Sequence, residues 1–526
     1  MEEDDAYYDE QVELPVFVVR DTDIEQSSIN NKQSSSSVPD AVSDFILHFH
    51  SQLVERSVWD LHAAYESTFN KLTEKFYATS PWPEPELIAP LVNDDPTFLI
   101  LYKELYFRHV YSKLQPTLDD RIASYNNYCD LFNYMLNASD EPCELELPSQ
   151  WLWDIIDEFI YQFQSFAQYR HKAKSVELLQ DRQDVWNVHN VLNVLYSLVD
   201  KSLVNQQLDA LRHNKDVGEA GGEFGRKPLY RMLGYFSLVG LLRVQCMLGD
   251  YHLALHTMQH VELSSRGLFA RNTACHVTTY YYVGFAYLMM RRYGDAGRMF
   301  ATALGFLSRT RNYHHKSYQH DVMVRKSDQM YALLAVCVVL SPQKMDENIN
   351  QVLKEKHGEH MYKMHKGDDA ALACFEELFT FGSPRFISPL VTTDGASNPN
   401  TLHSKHQLTM FLASIQSQLM IPTLRSYLKL YSNLSIAKLA MFLDLSPAEA
   451  QTLLLAFKHK ARQVQWLATG SVEAGGLAPT LDLQMYLKQD VVYIADNKAG
   501  RRVAEWFIRH INKFDDVFDH VSGVIR

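Results

Sequence analysis

Paired cysteines, phosphate-binding glycine loops and long apolar runs are all missing from this sequence. The six cysteines, Cys129, Cys143, Cys246, Cys275, Cys337 and Cys374, are scattered without a CxxC pair. That argues against a zinc ribbon and against a disulfide framework, and leaves reduced, buried thiols as the expectation. The longest uninterrupted apolar run, Tyr331 to Leu340, is about half of what a bilayer crossing requires. The first residues are acidic where a secretory signal would be basic and then apolar, so a cytoplasmic protein with no membrane segment is expected. No GxGxxG, Walker loop, GxSxG elbow or HExxH run occurs; the glycines of GEAGGEFG at 218–225 fit none of these and follow no strand-like segment.

Basic charge is also in short supply, but the deficit is local. The formal net charge is −13, and residues 1–25 hold ten acidic side chains against Arg20 alone. Nine of the negative charges therefore sit in the tail, and the other 501 residues carry only −4. A nearly neutral body gives no reason to exclude polyanionic partners. The tail runs on through SSINNKQSSSSVPD, with too little apolar content to fold alone, so residues 1–40 read as a disordered acidic and serine-rich segment. Its one apolar patch is Val12–Val19.

What the sequence does contain is 46% apolar residues and 12% aromatics in 526 positions, enough to fill the cores of about three domains. From Val42 to Phe76 the apolar residues fall at spacings of three and four, which predicts one or two amphipathic helices. Beyond the breaker SPWPEPELIAP at 80–90, LILYKELYFRHVYSKL, IASYNNYCDLFNYML and WLWDIIDEFIYQFQSFAQYR continue the helical pattern. Residues 41–212 are accordingly read as an N-terminal helical region. HNKDVGEAGGEFGRKP at 213–228 reads as a flexible glycine-rich loop and a candidate domain boundary.

After that loop, two segments share one pattern. The turn Gly249–Tyr251 is followed by Ala254, Met258 and Val261; the turn Tyr293–Asp295 is followed, 42 residues on, by Ala296, Phe300 and Ala303 at identical spacing. Small residues at Gly284, Ala296 and Ala303, with Tyr287 and Phe300 between them, resemble the tetratricopeptide arrangement, in which a small residue lets helices approach and an aromatic fills the gap. The pattern is therefore read as packing and not as a ligand site. Residues 229–430 are assigned to TPR-like repeats, with a period longer than the ~34 residues of a regular repeat.

The last third changes character. Ser435 is placed to cap IAKLAMFLD, and SPAE at 446–449 spells a capping box ahead of a helix carrying Ala450, Leu453, Leu454, Phe457, Ala461 and Val464 on one face. The period then becomes two: Leu481, Leu483, Met485 and Leu487 alternate with polar positions, Lys488–Asp490 turns, and VVYIAD at 491–496 returns. Helix, turn, helix, hairpin is the layout of a winged helix, assigned to 431–500. Residues 501–526 form an amphipathic C-terminal helix whose stripe, including Trp506, Phe507, Phe514 and Phe518, is too aromatic to be left in water.

Catalytic readings find little support. HFHSQLVERSVWD at 48–60 has the His, His, Ser, Asp order of a zinc isopeptidase, but only six residues separate His50 from Ser57 where that motif has seven. On a helix one residue of slip rotates a ligand by about 100°. His357, His360 and His365 can share a helix face, but in a charged segment that reads as a solvated surface. No catalytic residue, metal or cofactor is expected. Nucleic acid has a better claim: residues 425–470 hold six basic side chains against Asp444 and Glu449, with Lys458, Lys460 and Arg462 at the end of the second winged-helix helix. Base reading in such folds comes from the other end, which offers Ala448, Glu449 and Gln451, so nonspecific RNA contact is the competing expectation and DNA reading is disfavoured.

Helical repeats that run directly into a winged helix and a terminal helix resemble a PCI module, the assembly domain shared by the proteasome lid, the COP9 signalosome and eukaryotic translation initiation factor 3. HFHSQLVERSVWDLHAAYESTFNKLTEKFY (48–77), SPWPEPELIAPLV (80–92), FLILYKELYFRHVYSKLQPTLDDRIASYNNYCDLFNYML (98–136) and VVYIADNKAGRRVAEWFIRHINKF (491–514) are similar to the subunit L family of that initiation factor, over nearly the whole chain from about Val42. The resemblance implies a mainly α protein with a PCI module beginning near residue 320. It also implies a non-enzymatic scaffold in a cytoplasmic complex that binds the small ribosomal subunit and supports recruitment of initiator tRNA and mRNA. The partners it implies are other subunits of that factor, K, E and C among them. A scaffold of one of the other two complexes, or an RNA-binding winged-helix module, are the alternatives. The partner-binding residues expected are Val491, Tyr493 and Ile494, through edge-to-edge pairing of VVYIAD with another winged helix, together with Trp506, Phe507, Phe514 and Phe518 in a shared helical bundle.

Overall fold

The computed structural model describes residues 38–136, 141–170, 184–213, 215–263, 272–314, 320–367, 369–389, 399–460, 462–466, 472–479, 483–496, 506–511, 513–514 and 517–518. The expectation for the 1–40 tail lies almost wholly outside them. The chain divides into two compact units, residues 1–244 with 268–275 and 387–400, and residues 245–267 with 276–386 and 401–526.

In the first unit, helix α1 (Asp40–Glu55) buries Val42, Phe45, Ile46, Phe49 and Leu53, the face its spacing requires, and ends where Arg56 turns left-handed. A second helical stretch runs from Val58 to Phe76 through one π-helical turn at Ala64–Thr68. Helix α2 (Pro96–Lys113) starts with Pro96 in its first turn and with Asp95 accepting the Thr97 N–H at 3.0 Å. Helices α3 (Leu118–Leu136), α4 (Ser149–Tyr169) and α5 (Val188–Ser202) follow. The core is unusually aromatic: Trp151 stacks between Phe49 and Tyr65, with centroids 5.5 and 5.1 Å away. The three most deeply buried indoles have partners for their N–H, Trp82 donating to Thr73, Trp151 to Glu104 and Trp186 to the Arg121 carbonyl.

A charged cluster is built into this core. The Glu104 side chain is fully buried and pairs with Arg108 one turn further along α2. Arg108 also donates to the Tyr65 hydroxyl and lies 3.7 Å from Asp154, to which Tyr65 donates at 2.5 Å. Glu158, on α4, accepts from Gln162 at 2.9 Å; burial nevertheless pushes its carboxyl up to about 7, against the opposing pull of Arg108.

The glycine-rich segment expected as a flexible loop instead carries two short helices, Val217–Ala220 and Gly222–Arg226. Asp216 caps the first by accepting the Gly218 N–H. Gly225 is buried so closely that a Cβ there would come within 2.3 Å of Gln207 Nε2 and 2.6 Å of the Ser202 carbonyl oxygen. The glycine is there for close approach and not for flexibility. The division between units falls later, inside helix α6 (Pro228–Leu248).

The second unit opens with the paired pattern. The C-terminal turn of α6, ending at Gly249, leads into α7 (Tyr251–Thr257); α8 (Thr273–Met289) and α9 (Tyr293–His314) form the next pair, joined through a left-handed Arg291. Ala254, Met258, Ala296, Phe300 and Ala303 are all fully buried. A Cβ on Gly284 would lie 2.6 Å from the Phe300 ring, so the alternation of tiny and bulky residues is the means by which α8 and α9 touch. Helices α10 (His320–Leu340), α11 (Glu347–Lys366), α12 (Asp369–Gly382), α13 (Pro399–Gln416) and α14 (Ile421–Leu430) continue the array. Among the described residues no helix is long and apolar enough to cross a membrane.

The winged helix follows as β1 (Asn433–Ser435), α15 (Ile436–Leu443), α16 (Pro447–Lys460), β2 (Arg462–Gln465), β3 (Gly476–Pro479), β4 (Leu483–Lys488) and β5 (Val491–Asp496). Ser435 caps α15, and at Ser446 and Glu449 each side chain accepts the other's backbone N–H, the capping box read from SPAE. Gln489 and Asp490 both take positive φ, the geometry of a two-residue type I′ hairpin turn. Leu434, Leu439, Ala450, Leu454, Phe457, Leu483 and Val492 close the core beneath the sheet. The β2–β3 hairpin, inserted before the wing, has no counterpart in the pattern read from the sequence.

Candidate interaction surfaces

The three-stranded sheet is ordered β1-β5-β4 and is antiparallel throughout. Strand β5, expected to pair with another chain, is therefore the central strand, with both edges taken. Leu434 faces Val492 and Ser435 faces Val491 on one side; Leu487 faces Val492 and Met485 faces Ile494 on the other. The edge-to-edge role assigned to VVYIAD is corrected accordingly: the unpaired edges in this sheet belong to β4 and to the three-residue β1. Ile494, half-buried, packs against the winged helix's own core alongside the buried Val492. Val491 and Tyr493 alternate onto the outer face. There Tyr493 stacks on Tyr486 of β4, centroids 4.9 Å apart and planes within 7°, with Tyr486 58% exposed.

Residues 506–511, 513–514 and 517–518 are helical, and the rest of the expected 501–526 helix lies outside the described residues. Trp506, Phe507, Phe514 and Phe518 are all 54% exposed or more. Ile508, Ile511 and Val517 are exposed with them. Trp506 stacks on His510 at 3.9 Å, one turn along.

The three basic candidates separate. Lys458 and Arg462 are exposed, whereas Lys460 turns inward, donating to Gln418 Oε1 at 2.7 Å with its ammonium 5.9 Å from the Tyr293 ring. Burial pulls the Lys460 ammonium down to about 8. A group held this way is part of the packing between α16 and the helical array and does not present the free ammonium that the expected phosphate contact requires.

The histidines of HFHSQLVERSVWD lie on α1, where His50 Nε2 sits 3.1 Å from Asp95, while Ser57 donates to Asp60 beyond the helix end. In the second histidine group, His357 interrupts α11 with non-helical backbone and His360 lies 3.5 Å from Glu377. Among the described residues no group of three or more His, Cys, Asp and Glu is arranged to hold a metal ion.

One arrangement was not legible in the sequence. Asp295, in the first turn of α9, has a fully buried side chain. Its Oδ2 accepts from Arg292 Nε at 2.8 Å and from the Trp466 N–H at 2.9 Å, and its Oδ1 pairs with Arg298. Arg292 also donates to the Glu473 carbonyl at 2.9 Å, Arg298 to the Trp466 carbonyl at 3.2 Å, and the Tyr287 hydroxyl to the Val472 carbonyl. The Glu473 carboxylate meets His256 at 2.8 Å and His252 at 3.3 Å on α7. All of these groups belong to the second unit.

Comparison with known proteins supplies a family. The family described as RNA polymerase I-associated factor PAF67 matches residues 120–514. Curated relatives named eukaryotic translation initiation factor 3 subunit L align along nearly the full length. The one from Nematostella vectensis is 48% identical over 507 residues, covering 95% of this chain and 96% of its own. That from Danio rerio is 46% identical over 93% of this chain and 89% of its own, and that from Homo sapiens 45% identical over 92% and 91%.

Proposed function

Because the chain belongs to the family of eukaryotic translation initiation factor 3 subunit L, we propose that it serves as a non-catalytic scaffold subunit of that factor, in the cytoplasm, holding its place through a PCI module. The observation that carries this reading is the exposed aromatic helix that follows the winged helix. Seven large apolar side chains between Trp506 and Phe518 stand in water, an arrangement that a soluble chain maintains only where another surface covers it. A terminal amphipathic helix is suited to enter a bundle with equivalent helices of neighbouring subunits. The resemblance to PCI subunits favours K, E and C as those neighbours, and recruitment of the small ribosomal subunit, initiator tRNA and mRNA as the task of the whole assembly. The outer sheet face around Val491, Tyr493 and Tyr486, and the open β4 edge, are a second contact surface under the same reading.

Deleting residues 500–526 tests it. The truncated chain is expected to keep its thermal transition and to be lost from the purified assembly; undiminished co-purification would rule the reading out.

A second reading, RNA contact through the winged helix, draws on the exposure of Lys458 and Arg462. It predicts salt-sensitive retention on single-stranded RNA whose log–log slope falls by about 0.7 for each of Lys458→Ala and Arg462→Ala, and does not change for Lys460→Ala. Equal slopes for all three variants would end it.

A further inference from the structure

We infer that the β2–β3 hairpin is a strap that fixes the winged helix onto the helical repeats, with Asp295 as its positioning residue. The two strands pair in antiparallel register, Arg462 to Gln465 against Pro479 to Gly476. A Cβ on Gly475 would lie 2.5 Å from the Val464 side chain. Both of its ends are continuous with the winged helix: Lys460 closes α16 two residues before β2, and Leu483 opens β4 four residues after β3. Where the strap is seated, the winged helix is seated.

The seat is made of side chains from one stretch of the repeats. Tyr287, Arg292, Asp295 and Arg298 come from the end of α8, the turn and the start of α9, and all four reach main-chain groups of the strap at Trp466, Val472 and Glu473. These four contacts hold main-chain atoms of the strap; Val464 and Leu477 face solvent, 42% and 76% exposed, while Val472 is buried. Energetically the arrangement is cooperative. A buried carboxylate is costly unless charge and hydrogen bonds compensate it. The two arginines compensate Asp295 in charge, and the Trp466 N–H adds the bond that exists only with the strap in place. Release of the strap would leave Asp295 Oδ2 with the Arg292 guanidinium as its donor and would uncouple both guanidinium groups from the strap carbonyls. His252 and His256, gripping Glu473 from α7, extend the same hold to the preceding helix pair. The strap thus ties two successive helix pairs to the winged helix, which fixes the direction in which the sheet face and the β4 edge are presented.

Amide hydrogen exchange on the full-length chain reads this directly and does not depend on the assembly. In Asp295→Asn, protection over 462–466 and 472–479 is expected to fall by about ten- to a hundredfold, while helices α1 to α4 keep theirs. Tyr287→Phe removes a single hydroxyl from a site that otherwise stays filled, and should lower protection over 472–479 by about fivefold. Unchanged strap protection in both variants would overturn the inference. So would a uniform loss across the second unit in Asp295→Asn with Tyr287→Phe silent, because Asp295 would then be a part of the general core and not a strap anchor.

Discussion

Arg108→Leu is expected to lower the stability of the first unit by about 3–5 kcal/mol at pH 7.5, the cost of leaving buried charge without its counterion. Glu104 would keep only hydrogen-bonding partners, Trp151 at 3.1 Å and Tyr128 at 3.4 Å, and Asp154 would keep Tyr65 and Gln150. Domains of this kind hold about 5–15 kcal/mol in total, so the loss is a large fraction of what there is. The sign of the pH dependence follows from the same cluster. Arg108 also opposes the push that burial gives the Glu158 carboxyl, so without the guanidinium that carboxyl is raised further above its unfolded-state value. The folded variant then binds more protons than the unfolded one, and its stability rises as pH falls. The deficit relative to the unmodified chain should therefore shrink between pH 7.5 and 5.5. Glu158 contributes a gentler version of this slope even with Arg108 present. Its carboxyl is raised to about 7, so the stability it contributes is complete below about 4.5, the ordinary range for the group, and is lost as pH climbs through 7. Urea unfolding followed by tryptophan fluorescence suits the measurement, since Trp151 lies in the cluster itself. A cost under about 1 kcal/mol, or a deficit that widens on acidification, would show that the charges are not balanced in this way.

That cluster marks where sequence reading ends. Glu104 and Arg108, four apart, look like any solvated pair on a helix; only the tertiary fold, which brings Tyr65, Trp151 and Asp154 to them, makes the pair buried. The helices themselves were legible because each buries one stripe, as Val42, Phe45, Ile46, Phe49 and Leu53 do on α1. So was the winged helix, whose change of period and capping box are local signals. The role given to β5 failed for a physical reason: its second neighbour, β1, is three residues long, lies 56 residues earlier and has no periodicity of its own to announce it. Lys460 was misread in the same way, since Gln418, which draws it inward, is 42 residues away. The seat around Asp295 depends on main-chain groups 171 residues downstream and has no side-chain signature at the far end. In the glycine-rich segment composition misled, because glycines that permit close packing and glycines that permit motion are spelled alike.

The aromatic helix carries the other large effect. Phe514→Asp combined with Phe518→Asp is expected to weaken entry into the assembly by about a thousandfold, because two interface aromatics at about 2 kcal/mol each act on one helix face. In the free chain the same substitutions should be nearly silent: both side chains are 71% exposed, and surface changes of this kind stay within about 0.5 kcal/mol. That contrast, large in binding and small in folding, separates an interface from a core. Tyr362→Asp is the matched control, equally exposed at 72% on α11 and outside the proposed bundle. Titrating labelled full-length chain into an assembly depleted of it gives the affinities, and thermal unfolding of each variant gives the folding term. Aspartate is chosen over alanine because burying a carboxylate against apolar neighbours adds a desolvation penalty to the lost contact, so a bundle cannot accommodate it by small shifts. A weakening of less than tenfold for the double variant, or an equal effect from Tyr362→Asp, would mean that the exposed stripe is covered by something other than the neighbouring subunits.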